Sequence, residues 1–174
     1  RIEIWFQDET RVGQVGRTGR LWFERGIRPR GPRDMRHEAA WIFGAICPAR
    51  DTGVALVLPV ATTEAMQLLL DELSQAVAPG SHAILVLDKA GWHTAKRLKW
   101  PENLSPIHLP PYSPELNSIE RTWLYLKERY LTHSVFPDAE AIIDACCDAW
   151  NKLLAETGRI QSIAASYWAE KVNP

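Results

Sequence analysis

Three carboxylates sit where solvation alone does not explain them. Asp8 closes the stretch Ile2-Glu3-Ile4-Trp5-Phe6-Gln7-Asp8, in phase with Ile2, Ile4 and Phe6. Asp88 follows five consecutive apolar residues, Ala83-Ile84-Leu85-Val86-Leu87, and Glu120 flanks a helical apolar stripe beside Ile119. An unpaired buried carboxylate costs several kcal/mol. A hard divalent cation, which prefers oxygen ligands, removes that penalty. Two such ions roughly 3.5–4 Å apart neutralise charge on both the attacking and leaving oxygens of a phosphodiester. Each acid also has an ordinary role. Asp8 can be a strand end, Asp88 a turn former, and Glu120 the N3 residue of a capping box written Asn117-Ser118-Ile119-Glu120. Glu9 points away from Asp8 by strand alternation, and Glu115 is a rival third ligand. His93 is placed to contact a phosphate or to orient Asp88, against the reading of an ordinary loop histidine.

The elements that must carry these groups follow from hydrophobic period. Strands are predicted over 2–8, 40–47, 54–59, 83–87 and 107–109, the first three as a meander. Residues 10–37 hold five glycines, two prolines and eight arginines and read as an irregular hairpin or long loop. Thr62 or Thr63 caps a helix with apolar positions at Met66, Leu69, Leu70, Leu73 and Val77. A short helix is predicted over 94–99, and Pro110-Pro111-Tyr112-Ser113-Pro114 is a rigid connector. Leu116, Ile119, Trp123, Leu126 and Tyr130 form one closing helical stripe, Ile142, Cys146, Trp150 and Leu153 another, and 160–170 a final helical segment. This order implies a mixed sheet with helices packed on its faces.

The 174 residues, 46% of them hydrophobic, suit one globular domain. No apolar run reaches the roughly 18 residues of a membrane span. The chain opens without a signal peptide or an initiator Met, so an upstream domain is expected. Cys47, Cys146 and Cys147 fit neither a disulfide framework nor a zinc site and read as reduced, buried thiols of a cytoplasmic protein. A net charge of -1 hides an asymmetry: residues 1–37 carry nine Arg against five acids, the remainder eleven basic residues against sixteen acids. The Arg-rich start points weakly to nucleic acid, with a solvated loop as the alternative. A Ser/His/Asp motif and a Gly-rich phosphate loop are lacking, which argues against a small-molecule hydrolase.

Three blocks carry a resemblance. Phe6-Gln7-Asp8-Glu9-Thr10, Val86-Leu87-Asp88-Lys89-Ala90-Gly91-Trp92-His93 and the run Leu109-Pro110-Pro111-Tyr112-Ser113-Pro114-Glu115-Leu116-Asn117-Ser118-Ile119-Glu120-Arg121-Thr122-Trp123 resemble the mariner-type (Tc/mariner) transposases, most closely their bacterial insertion-sequence branch. The third block is the most specific. Lys89 departs from the frequent Asn or small residue, Ser118 from the frequent Pro, and the 31 residues between Asp88 and Glu120 are a short interval for the family. The resemblance implies an α/β, ribonuclease-H-like fold: a mixed five-stranded sheet with helices on both faces. It implies a single catalytic domain over 1–174, with the family's N-terminal helix-turn-helix region outside this chain. It implies an Asp8, Asp88, Glu120 triad holding two Mg2+ ions, with Mn2+ as substitute. The implied activity is cleavage at inverted-repeat element ends followed by strand transfer to target DNA. Partners would be double-stranded DNA and a second copy of the chain, in a bacterial cytoplasm at the nucleoid. Candidate phosphate contacts are Arg17, Arg20, Arg25, Arg28, Arg30 and Arg33, then His93, Lys96, Arg97 and Lys99; Trp22 and Trp92 are assigned to core or loop packing. Alternative readings are another ribonuclease-H-like endonuclease and a domesticated, non-catalytic DNA-binding or assembly module.

Overall fold

The computed structural model describes residues 1–14, 24–26, 36–132 and 134–170. Five strands, β1 (Ile2–Gly13), β2 (Ala39–Cys47), β3 (Thr52–Leu58), β4 (His82–Leu87) and β5 (Leu104–His108), form one sheet in the order β3-β2-β1-β4-β5. β1, β2 and β3 are an antiparallel meander, whereas β4 joins β1, and β5 joins β4, in parallel. The sheet is therefore mixed, as expected. β1 runs five residues past the expected end at Asp8, because Glu9 to Gly13 pair with Phe43 to Ala39 of β2. Arg11 and Gly13 mask this extension in the sequence, while Thr10 and Val12 are buried along it.

Alternation along the strands divides the interior in two. Phe6, Ile42, Ile46 and Val86 face one layer; Trp5, Phe43, Leu85 and Leu87 face the other. The second layer is closed by α1 (Thr63–Ala76), whose Met66, Leu69, Leu70 and Leu73 are fully buried. Each such side chain contributes about 1.5–3 kcal/mol relative to exposure. Thr62 is the cap, its Oγ1 accepting from the Ala65 N–H at 3.2 Å. The first layer is closed by α2 (Ile119–Leu126), α3 (Ala139–Ala155) and α4 (Arg159–Ala164), followed by the short α5 (Tyr167–Glu170). Ile142, Cys146, Trp150 and Leu153 of α3 form the expected buried stripe, started by Asp138, whose carboxylate accepts from the Ala141 N–H. Helices thus cover both faces.

Two glycines make this packing possible. A Cβ on Gly44 of β2 would stand 2.6 Å from Trp123 Cη2, and one on Gly53 of β3 2.9 Å from Trp150 Cζ2. The two indoles occupy the space that side chains at these positions would fill.

Several expectations are corrected. Residues 94–99 form turns, held by Gln67 of α1 bonding both backbone groups of Lys99, and not a helix. The closing stripe is shorter than read: Leu116 lies in a 3-10 turn (Pro114–Leu116) and is 39% exposed, and after Leu126 the helix widens into a π-type turn, Lys127–Leu131. The segment 160–170 is two short helices. Cys47 and Cys146 are buried and free as expected, but Cys147 is exposed. Among the described residues no helix is long and apolar enough to cross a membrane.

Candidate active site where β4 parts from β1

The β1–β4 ladder ends at Phe6 and Val86. Two residues further on, in equal register, stand Asp8, still paired with Gly44 of β2, and Asp88, just past the carboxyl end of β4. Such strand ends are where open sheets gather ligands. Asn117, at the entrance to α2, donates from Nδ2 to the Gln7 carbonyl at 2.9 Å and so ties that helix to β1 immediately before Asp8.

Asp8 faces the α2 layer, where its Oδ2 accepts from Trp123 Nε1 at 3.0 Å. Burial, then the charges of Glu9 and Glu120, push its carboxyl up to about 7, against the bonds from the Glu9 backbone and Trp123. Glu120 is the second residue of α2 and reaches solvent. Its carboxyl is also raised, by desolvation first, with Lys127 opposing and the charges of Asp88 and Glu9 adding. The capping box expected at Asn117–Glu120 is not formed. Ser118 is already helical, makes no side-chain cap, and instead bonds Ser166. Asn117, the extended residue that would cap, spends its amide nitrogen on β1, its Oδ1 has no partner among the described residues, and the Glu120 N–H bonds the Asn117 carbonyl instead. Glu120 is therefore not committed to the helix start. Glu115 is exposed in the 3-10 turn, and the charges acting on Asp8 are those of Glu9 and Glu120.

Asp88 is held from the other side. Its Oδ1 accepts from the Ala90 N–H at 2.8 Å and from His93 Nδ1 at 2.7 Å. The His93 bond is the main cause of its lowered carboxyl, opposed by burial and helped by Ala90 and the charges of His93 and His108. His93 Nε2 donates to Glu9 Oε2 at 3.2 Å, and Trp92 Nε1 donates to Glu9 Oε1 at 3.0 Å. Burial alone would lower the His93 imidazolium, but the bonds and charges of Asp88 and Glu9 outweigh it and raise it to about 9. At neutral pH both ring nitrogens therefore donate.

The expectation that His93 contacts DNA is corrected: its side chain is fully buried and both nitrogens are engaged. Lys96, Arg97 and Lys99 are exposed on the turn beside α1, and Arg97 pairs with Glu64 at 3.0 Å. Arg25 is exposed. Arg17, Arg20, Arg28, Arg30 and Arg33, and Trp22, lie outside the described residues. Sequence reasoning missed the indole of Trp123 as a partner of Asp8. Its spacing three residues after Glu120, on the same helix face, was the available signal. It also set Glu9 aside. The strand alternation was right, but the 88–93 turn folds onto the same face and meets it.

Asp8, Asp88, Glu120 and Glu9 thus share one electrostatic field, in which like charges raise Asp8 and Glu120. Of these, Asp8, Asp88 and Glu120 make an all-oxygen donor set with the chemistry a hard divalent cation requires, whereas both oxygens of Glu9 already accept from Trp92 and His93. Among the described residues no three Asp, Glu, His or Cys side chains are drawn into a ready ligating shell. Asp8 and Asp88 each spend one oxygen on a protein donor.

Residues 3–143 match the family model described as DDE superfamily endonuclease. The chain belongs to this family. It is 46% identical over 132 residues to an uncharacterised protein, y4pE/y4sA, of Sinorhizobium fredii (strain NBRC 101917 / NGR234), which covers 76% of this chain and 98% of that one. Among solved structures, this DDE superfamily member resembles the Mos1 strand transfer complex (TM-score 0.59, 15% identity, 95% of this chain and 55% of that one). It also resembles the Mos1 mariner paired end complex with Mn (0.61, 14%, 95% and 56%) and the catalytic domain of Mos1 mariner transposase (0.52, 15%, 90% and 82%). The chain spans about half the length of the Mos1 chains in the two complexes. The fold is the ribonuclease-H-like one that the resemblance implied.

Proposed function

We propose that this domain is the catalytic domain of a DNA transposase, in which Asp8, Asp88 and Glu120 bind two divalent cations. The domain would cleave phosphodiesters at element ends and join the freed 3′ ends to target DNA. The observation that carries this reading is the equal register of Asp8 and Asp88 beyond the last ladder pair, with the charge of Glu120 acting on Asp8 from α2. The family match supports an endonuclease. The Mos1 complexes, one of strand transfer and one of paired ends with Mn, support the DNA partner and the divalent ion.

When bound, the ions supply Lewis-acid activation of a water or 3′-hydroxyl and stabilise the leaving oxygen. The protein's own groups set up that chemistry. Asp8 and Asp88 present carboxylates from adjacent strands, and Glu120 adds a third from the helix. Trp123 orients Asp8 through Nε1, and the buried indole excludes water from that side. Two copies of the chain would hold the two element ends, and the arginines of residues 17–33 would contact phosphates.

The test is cleavage and joining of a labelled element-end duplex in Mg2+ or Mn2+. Asp8→Ala, Asp88→Ala and Glu120→Ala should each abolish both products with the fold intact. Full activity in any of the three would remove that residue from the assignment, and cleavage without joining would point to an endonuclease.

A further inference from the structure

Asp88 has little to hold it by strand pairing. It follows the last paired residue of β4, and its side chain is 55% exposed. An exposed aspartate at a strand end samples several rotamers, and a ligating carboxylate is useful only if it is held in one. Behind it lies a buried polar relay. The Glu9 side chain is 7% exposed and that of His93 0%. Trp92 Nε1 fixes one oxygen of Glu9, the other accepts from His93 Nε2, and His93 Nδ1 in turn bonds Asp88 Oδ1. The Ala90 N–H lands on the same oxygen of Asp88. Oδ2 is left without a protein partner among the described residues.

Stability does not account for this relay. A buried ion pair replaced by well-packed apolar side chains is often neutral or stabilising. The relay instead does one geometric thing: it locks Oδ1, and with it the rotamer that Asp88 holds just past the end of β4. A histidine held between a carboxylate behind it and an acidic ligand in front is a device for orienting metal ligands from outside the coordination shell. The bonds also separate Glu9 from the ligand set, since both its oxygens already accept from buried donors.

We propose that Glu9 and His93 are positioning residues that hold Asp88 in its ligating rotamer, Glu9 itself not being a ligand. This rests on the reading of Asp88 as a metal-binding carboxylate.

Asn and Gln at position 93 separate the two halves of the relay. The Asn side-chain nitrogen falls near the place of Nδ1 and keeps the bond to Asp88. The Gln nitrogen falls near Nε2 and keeps the bond to Glu9. The experiment is calorimetric titration of the 174-residue chain with Mn2+ alone, alongside melting of each variant. His93→Gln should bind Mn2+ about 10–100-fold more weakly than wild type. His93→Asn should restore most of the affinity although its melting point falls similarly. Glu9→Gln should retain measurable binding, whereas Asp8→Ala and Asp88→Ala abolish it. Equal affinities for His93→Asn and His93→Gln would overturn the proposal, because a space-filling histidine predicts that. Loss of binding in Glu9→Gln as complete as in Asp88→Ala would overturn it by making Glu9 a ligand. If both His93 variants fail to fold, Trp92→Phe, which removes the donor to Glu9, carries the test: weaker Mn2+ binding supports the relay and unchanged binding overturns it. Wild-type protein without Asp8-dependent Mn2+ binding would instead sink the metal-site reading and this inference with it.

Discussion

Replacing Asp8 by Asn removes a charge that the metal-free fold carries at a loss. The Asp8 carboxyl is raised from 3.8 to about 7, chiefly by burial and then by Glu9 and Glu120. A carboxyl raised in the folded state binds its proton more tightly there than in the unfolded chain. Its contribution is therefore fully favourable below the unfolded value and is lost as pH climbs through the folded one. Between pH about 5 and about 8, the metal-free wild type should lose roughly 2.5 kcal/mol from this group, at ~1.4 kcal/mol per unit over the part of the shift that the window spans. Asn is nearly isosteric, keeps an acceptor for Trp123 Nε1, and does not titrate. The measurement is urea unfolding of wild type and Asp8→Asn at both pH values in the presence of a chelator. The stability difference should move in favour of the variant by about that amount as pH rises. Mn2+ should then reverse the order: an ion present at 100 times its Kd adds ~2.7 kcal/mol to wild type and nothing to a variant that cannot bind it. A difference that stays flat between the two pH values would refute the claim that Asp8 is a strained, desolvated carboxylate. A Mn2+ gain in Asp8→Asn equal to that of wild type would refute its role as a ligand.

Other perturbations test the surroundings of the site. Gly44→Ala places a Cβ 2.6 Å from Trp123 Cη2; thermal melting should show a loss of ~1–3 kcal/mol from overpacking, and Mn2+ affinity should fall with it as the indole shifts from Asp8. Trp123→Phe removes the donor to Asp8 Oδ2. It should move the Asp8 titration higher and the onset of Mn2+ binding to higher pH, with ~1.5–3 kcal/mol lost for the charge-assisted bond. Replacing Arg17, Arg20, Arg25, Arg28, Arg30 and Arg33 by Gln should flatten the salt dependence of DNA binding by about 0.9 in log–log slope for each true phosphate contact; an unchanged slope would assign these arginines to solvent or to a protein partner.

Strands and helices were legible where one face is buried. The uniform run before Asp88 marked β4, and the 4, 3 spacing of Ile119, Trp123 and Leu126 marked α2. What escaped was set by tertiary pairing. β1 continues to Gly13 because β2 offers it partners, although Arg11 and Gly13 have no strand character of their own. The expected helix over 94–99 gave way to turns in which Lys99 bonds the side chain of Gln67, a residue 32 positions earlier. The capping box failed because the side chain of Asn117, the residue that would cap, is turned to the Gln7 carbonyl of β1, a tertiary contact that local sequence does not reveal. The positions proposed for the triad come from the motif blocks. The partners of each acid could not, since Trp123 and His93 reach Asp8 and Asp88 across long sequence intervals or around a turn.

Those partners come from opposite faces of the sheet. Asp8 is fixed by Trp123, which belongs to the layer of α2 and α3, and the room for its indole is made by Gly44. Asp88 is fixed by His93 and Glu9, next to Trp92, which packs against the layer of α1. The point where β4 parts from β1 is where the two layers come within reach of one another. Two cores that share a sheet but few side chains should therefore act separately on the two aspartates. A cavity cut under α1, as by Leu69→Ala, should loosen Asp88 first and leave the pH dependence tied to Asp8 in place. A cavity under α3, as by Leu153→Ala, should do the reverse. If both cavities weakened Mn2+ binding with the same pH profile, the site would be held by global stability alone, and the separate anchoring of the two carboxylates would be wrong.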